Sequence, residues 1–272
     1  MRTLLLLLIA LCASAGASAD AWLYAPPPER AANEAGAPPP VRTDRGVPVS
    51  ARSVGAWHAQ AGWLANRLAA RGLKLGDRLH LRVFKRSREL DVYLERDGRF
   101  VRYRTFPICN VSGTLGPKRF EGDLQAPEGF YSVRPERFHP GSDFHLAFNL
   151  GYPNAFDRAL GRTGSNIMIH GGCASTGCFA ISDYYMEQLW VLAEAAVRAG
   201  QRSIGVEIYP FRMTERNLSA HAGMRWIEFW RSLKPAHDHF VRTGRPAAIR
   251  IARDGYRLAD RSETATGRTS AP

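Results

Sequence analysis

The segment IMIHGGCASTGCFAISD (Ile167–Asp183) brings His170, Cys173 and Cys178 close together in the chain. Three kinds of chemistry use these atoms. In nucleophilic catalysis a cysteine attacks as its thiolate and needs a base or a positive field to lose its proton near neutral pH. His170 ends an apolar run, and Cys178 follows on a Gly-rich turn that a tight loop can fold back toward it. Gly177 would let the backbone approach a bound carbonyl, amides of the turn would receive a developing oxyanion, and Ser175 would position the histidine or the substrate. In the metal alternative the ligands are His170-x2-Cys173-x4-Cys178 with a distant fourth such as Cys109, although the repeated short ligand pairs of structural zinc sites are missing. In the structural alternative a buried histidine accompanies two thiols oxidised as Cys173–Cys178 or Cys109–Cys173. Spacing leaves all three open.

The elements that must hold these residues are partly visible in the pattern. Trp57, Ala61, Leu64 and Leu68 share one helical face, and Gly72 follows as a stop. LHLRVFKRSRELDVYLERDGRFVRYRTFPI alternates apolar and charged residues over three runs, with breaks at Arg86–Arg88 and Asp97-Gly98. Asp-Gly supplies the positive φ angles of a type I′ hairpin turn, so an antiparallel sheet with one wet face is expected. Val111 to Gly151 is rich in Gly and Pro and predicts loops and short strands. Ile167–Ile169 predicts a buried strand that delivers His170. Met186, Leu189, Trp190, Ala193, Ala196 and Val197 form a helical stripe, with Ser182 or Asp183 as its cap and Gly200 as its end. SIGVEIYPF predicts a further strand. Trp226, Phe229, Trp230 and Leu233 open an amphipathic helix that Pro235 should kink or end, and Ala247–Ile251 predicts a last strand. The class expected is α+β, mostly antiparallel β with flanking helices.

MRTLLLLLIALCASAGASAD has the charged start, short apolar run and small residues of a secretory signal peptide cleaved after Ala19. No segment has the roughly 18 apolar residues that a transmembrane helix needs. The formal charge of +12 falls to +11 without residues 1–19, which hold one Arg and no acid. Export turns that excess away from nucleic acid and toward anionic envelope polymers, and the Lys and Arg are dispersed rather than in blocks. Of the four cysteines, Cys109, Cys173 and Cys178 remain after processing. An odd count in an oxidising compartment leaves one thiol unpaired within the chain.

IHGGCASTGCFAISD resembles the catalytic motif of the YkuD-type L,D-transpeptidases, and in particular their YafK-like branch. The similarity extends through FPICNVSGTLGPKRFEGDLQAPEGFYSV and FHLAFNLGYPNAFDRALGRTGSNIMIHG, over about residues 78–210. It implies a YkuD-like β-sandwich and a periplasmic enzyme acting on peptidoglycan stem peptides, with no cofactor and no metal. Carried onto this chain, Cys178 is the nucleophile and His170 its base. Gly177 and Cys178 supply the oxyanion amides, with Ser175 and Gly171 as orienting residues. Most of the family reads Ser-His-Gly-Cys-x-Arg where this chain has Ser175-Thr176-Gly177-Cys178-Phe179-Ala180. The resemblance admits transfer of the acyl group to an amine, or to water in a hydrolase that trims stem peptides or releases a wall-linked lipoprotein. A non-catalytic wall-binding module is the rival from another class.

The odd cysteine count in an exported chain also makes Cys109–Cys173 the expected disulfide, with Cys178 free. The resemblance places Lys118, Arg119 and Arg158 around the substrate groove, where cations would meet stem-peptide carboxylates or stand as solvated surface charges, and Tyr152 and Asn154 would shape the cleft or form a Pro-Asn turn. Asp123 and Glu128 would bind a substrate ammonium or stabilise turns, and His237 and His239 are expected in an exposed loop. The expected organisation is a signal peptide at 1–19, a Pro-rich linker at 20–50, a helical segment at 51–77, the catalytic domain at 78–210, a C-terminal helical extension at 211–258 and a tail at 259–272.

Overall fold

A computed structural model describes residues 46–259, so the signal peptide, most of the linker and the tail beyond Ala259 lie outside the described residues. The chain has both helices and mixed sheets, an α+β fold. Its first helix, α1 (Ala51–Ala69), starts at Ser50, whose hydroxyl accepts from the Ser53 amide while the Ser53 hydroxyl accepts from the Ser50 amide. This capping box satisfies two amides that have no partner inside the helix. The chain joins the fold before residue 50, since Val47 is already buried and Ser50, in extended backbone, is the cap.

Strands β1 (Leu79–Phe84), β2 (Glu89–Arg96) and β3 (Arg99–Pro107) form an antiparallel meander, and Asp97 and Gly98 turn β2 into β3 with φ of 54° and 72°. β5 (Gly129–Val133) and β10 (Ile204–Tyr209) complete a sheet of order β3-β2-β1-β10-β5, in which β1 and β10 run parallel. While β2 and β3 keep partly exposed positions, the expected wet face is overturned in β1, every residue of which is buried. Its polar positions, His80 and Arg82, lie under helix α5 (Ile227–Thr243) and meet Glu207 of β10 at 3.2 and 2.8 Å. Alternating charge marks a solvated face only when no later element covers it. Here the partner carboxylate arrives from 125 residues away.

The second sheet is made of very short strands: β4 (Asn110–Val111), β6 (Phe138–His139), β7 (Ala147–Asn149), β8 (Met168–His170) and β9 (Phe179–Ala180), in the order β4-β9-β8-β7-β6. One apolar core draws on both sheets, on α1 and on α3 (Ser182–Arg198). Trp190 of α3 sits in it between Phe138 and Phe148, with ring centroids 5.2 and 5.3 Å away. The α3 stripe read from the sequence is buried throughout, but its expected cap is not formed by Ser182 or Asp183. Ile181 precedes the helix without a side-chain bond, and the Asp183 carboxylate turns instead to the Gly172 amide at 2.7 Å.

A second core joins Phe84, Tyr209, Phe229 and Trp230, with α2 (Ala155–Ala159) and α4 (Glu215–Ala220) at its margin. Pro235 does not end α5, which runs on for two more turns to Gly244 in the left-handed region. A proline inside a helix costs about 3 kcal/mol. Burial of Leu233 before it and of Ala236 and Phe240 after it, on one face, offsets that loss. His237 lies in this helix rather than in an exposed loop, packed edge-on to Tyr209 at 5.3 Å. The last strand expected from the sequence is a hairpin, β11 (Ile249–Ala252) with β12 (Gly255–Leu258), and Ala259 is pinned to the Ala248 carbonyl at 2.9 Å.

Candidate active site

β8 and β9 are parallel neighbours that pair Ile169 with Phe179 and His170 with Ala180. Continuing that register by one residue sets Cys178 beside Met168. Alternation along the strands then gives Cys178 and His170 the same side of the sheet, one step apart. The thiol of Cys178 lies 3.5 Å from the Asn166 carbonyl and also meets the Met168 backbone. Gly177 makes this approach at φ 121°, and a Cβ there would stand 3.2 Å from Ile167 and 3.4 Å from the Gln125 carbonyl.

His170 is buried, 2% exposed, and its Nδ1 donates to the Gly171 carbonyl at 2.6 Å. That bond fixes the tautomer and leaves Nε2 as the acceptor a general base needs. The Phe144 ring covers the imidazole at a centroid distance of 4.6 Å. Gly171 has no room for a side chain, since a Cβ would come within 2.8 Å of the His145 Cβ and 2.9 Å of the Phe144 carbonyl. The Gly171 amide is already bonded to the Leu146 carbonyl at 3.1 Å, so this residue orients His170 through its carbonyl and offers no oxyanion donor. The Ser175 hydroxyl donates to the Cys178 carbonyl at 2.8 Å and so braces the turn.

Cys109 and Cys173 are joined by a disulfide with Cα atoms 5.6 Å apart, and Cys178 is the free cysteine among the described residues. Their two sulfurs are spent on each other and are not metal ligands. The bridge ties the chain entering β4 to the loop after His170, and a crosslink of this sequence separation contributes ~4 kcal/mol in the chain-entropy account.

Burial pushes the Cys178 thiol above its ordinary range, opposed by the Met168 backbone and by the charge of Lys118. Burial also holds the His170 imidazole below its usual value, opposed by the bond to Gly171. Both shifts favour a neutral thiol beside a neutral imidazole at rest. In an attack by this thiol the ion pair would form only as the proton moves.

Lys118 and Tyr152 do not line the cleft as free groups. Lys118 is 2% exposed, its ammonium bonded to Asp123 at 2.6 Å and to the Phe120 carbonyl at 3.0 Å. The Tyr152 hydroxyl donates to the Lys118 carbonyl at 3.2 Å. Arg158 stays on the surface of α2 and donates to the Pro153 carbonyl at 2.6 Å. Asp123 accepts from the Arg119, Phe120 and Gln125 amides, a turn-stabilising role. Glu128 is fully buried between Lys85 at 3.1 Å, the Gly116 amide at 2.8 Å and the Trp230 indole at 2.7 Å. These two carboxylates thus fix the loop from Gly113 to Glu128 that stands over Gly177.

Sequence reasoning missed Asp183, Asn166 and Phe144. Asp183 reads locally as a helix cap, and only the folded loop shows that it holds the Gly172 amide.

The sequence profile of the YkuD family, described as the L,D-transpeptidase catalytic domain, matches residues 79–202. YafK of Escherichia coli K12, whose own L,D-transpeptidase name is provisional, is 38% identical over 182 residues, covering 67% of this chain and 74% of YafK. The chain belongs to the YkuD L,D-transpeptidase family. The same match is found with YafK of E. coli O157:H7. Among solved structures, the helical cell shape determining protein Pgp2 of Campylobacter jejuni aligns with a TM-score of 0.40 at 20% identity, over 72% of this chain and 84% of Pgp2. Bd1075 of Bdellovibrio bacteriovorus aligns with a TM-score of 0.35 at 23% identity, over 60% of each chain. The YkuD match spans β1 through α3 and so contains both His170 and Cys178. No helix among the described residues is long and apolar enough to cross a membrane.

Proposed function

We propose that this YkuD-family protein is an exported, periplasmic enzyme that forms a Cys178 acyl-enzyme on peptidoglycan stem peptides and passes the acyl group to an amine. The observation that supports the proposal is the β8/β9 pairing, whose register, continued by one residue, puts the one described free thiol and a tautomer-fixed imidazole on the same side. His170 Nε2 takes the thiol proton as sulfur bonds to the carbonyl carbon of the stem peptide's third residue, a meso-diaminopimelate in typical Gram-negative wall. The Gly177 and Cys178 amides face the oxyanion that develops. Collapse breaks the C–N bond, and His170 returns its proton to the departing amine. The acceptor amine then loses a proton to His170 and attacks the thioester, so an amide replaces the amide that was broken and the thiol is restored. Water in the acceptor's place makes the same sequence a hydrolysis, and a protein amine would attach a lipoprotein. Lys118 supports the thiolate with its buried charge rather than binding the substrate's carboxylates.

Purified sacculi and tetrapeptide muropeptides incubated with the mature protein test this by mass spectrometry. The expected result is an acyl adduct on the Cys178 peptide and its loss in Cys178→Ala, with the circular dichroism spectrum unchanged. New crosslinks, trimmed stems and released lipoprotein identify the acceptor in turn. Full turnover by Cys178→Ala would end the proposal.

A further inference from the structure

Away from Cys178, a cleft of about 600 Å³ opens where β2, β3 and the end of α5 meet. Arg82, Arg96, Arg99 and Arg102 line it beside the rings of Tyr93 and Phe240, and Asp97 is the one carboxylate among its lining residues. From Arg102 along β3 to Cys109 is roughly 20 Å at ~3.3 Å per residue, so the cleft is remote from the disulfide and its loop.

The floor is a built feature. Arg82 is 2% exposed, its Nε donates to Glu207 at 2.8 Å, and its guanidinium lies on the Phe240 ring at 4.5 Å. The guanidinium also interacts with the Tyr93 and Tyr209 hydroxyls, although Nη2 of Arg82 has no acceptor within strict hydrogen-bond geometry. A buried guanidinium donor is costly to leave unfilled.

The rim cations are also incompletely neutralised. Arg96 and Arg99 donate to the carbonyls of Arg71 at 3.0 Å and Arg242 at 3.4 Å. Arg102 stands 3.7 Å from Asp91, a carboxylate that Arg212 already holds at 2.6 Å. Guanidinium forks above an apolar wall select planar or tetrahedral anions, and low dielectric strengthens the attraction. A volume of this size admits a peptide segment rather than a bare ion.

We propose that this cleft binds carboxylates of peptidoglycan stem peptides, as a second, non-catalytic contact with the wall. The inference rests on the peptidoglycan reading of the active site. It gives the enzyme a hold on the polymer that does not occupy Cys178.

Co-sedimentation of the mature protein with purified sacculi tests it, using Arg96→Gln/Arg99→Gln and, separately, Arg99→Glu. Both positions are exposed, so the variants should melt like the parent. The expected result is sacculus binding weakened by about fivefold in the double variant and more in Arg99→Glu. Acylation by a soluble tetrapeptide muropeptide should be unchanged in the same preparations. Sacculus binding equal to the parent's in both variants overturns the proposal. So does variant-sensitive binding to phosphatidylglycerol vesicles with sacculus binding intact, which would assign the cleft to lipid phosphate. If no protein, parent included, is acylated while the variants still lose sacculus binding, the active-site reading fails and the wall-binding cleft stands.

Discussion

The two sheets bury their ionisable groups in opposite ways. In the long-stranded sheet, Glu207 is held down to about 2 despite its burial, because His80 and Arg82 bond to it. Arg82 and Asp91 there likewise have fixed counter-charges, in Glu207 and Arg212. In the short-stranded sheet, His170 and Cys178 are held by backbone carbonyls and both are pushed toward their neutral forms. Removing one partner of a buried ion pair costs about 3–5 kcal/mol, so a paired group is a poor place to move a proton. A neutral pair held by the backbone gives up and regains a proton without breaking an ion pair. The long sheet is thereby suited to fix geometry and the short one to do chemistry.

The sharpest way to break this contrast is to remove the proposed base. His170→Gln should lower acylation by about 10²–10⁴-fold. Because the imidazole has no ionic partner to strand, thermal stability should fall little. A variant that unfolds, or one that keeps its acylation rate in stopped assays, would place His170 among the structural residues instead.

Next in size is the crosslink. Cys109→Ser/Cys173→Ser should lose ~2–5 kcal/mol of unfolding free energy, read from the urea midpoint. It should retain a measurable acylation rate at low temperature, since neither sulfur takes part in the proposed reaction. Complete inactivity in a folded double variant would assign the bridge a role at the reacting atoms.

Lys118→Met should slow alkylation of Cys178 at neutral pH severalfold, and at most about tenfold, and should move the alkaline limb of the rate profile upward. Its sign follows from the Lys118 charge favouring the thiolate. Lys118→Arg should recover part of the rate, which a packing defect alone would not show.

The smallest effect is on stability against pH. Burial, with Arg82 nearby, lowers His237 to about 4 from an ordinary 6.5. Between those values the unfolded chain binds the proton and the folded chain does not, so stability falls as pH drops from 6.5 toward 4. His170 shifts in the same direction and adds to the slope. Urea midpoints from pH 7.5 to 4.5 should flatten in His237→Gln without becoming level. An unchanged slope would remove His237 from the account. Glu207 acts lower, its contribution being lost as pH falls from 4.5 through 2.

Much of the fold was legible because its signals are local. The Asp97-Gly98 turn, the α1 and α3 faces and the strand before His170 each follow from side-chain periodicity and turn chemistry within a few residues. Of the two outcomes expected at Pro235, a kink or an end, the end does not occur, because the burial of Phe240 that carries α5 onward comes from the long sheet. The cation of Lys118 was misread for a similar reason, since its carboxylate partner follows after only five residues but its burial depends on Gly164 and Tyr152. His80 and Arg82 looked solvated until β10 and α5 covered them.

By itself the sequence determined which groups are available: three cysteines between residues 46 and 259, a histidine at the end of an apolar strand and a glycine before Cys178. These depend on residue types and near spacing. Only the tertiary structure decided that His170 presents Nε2, that Asp183 holds a loop rather than a helix end, and that four arginines converge on one cleft. Those outcomes depend on register and on contacts between residues far apart in the chain, which packing of the two cores selects.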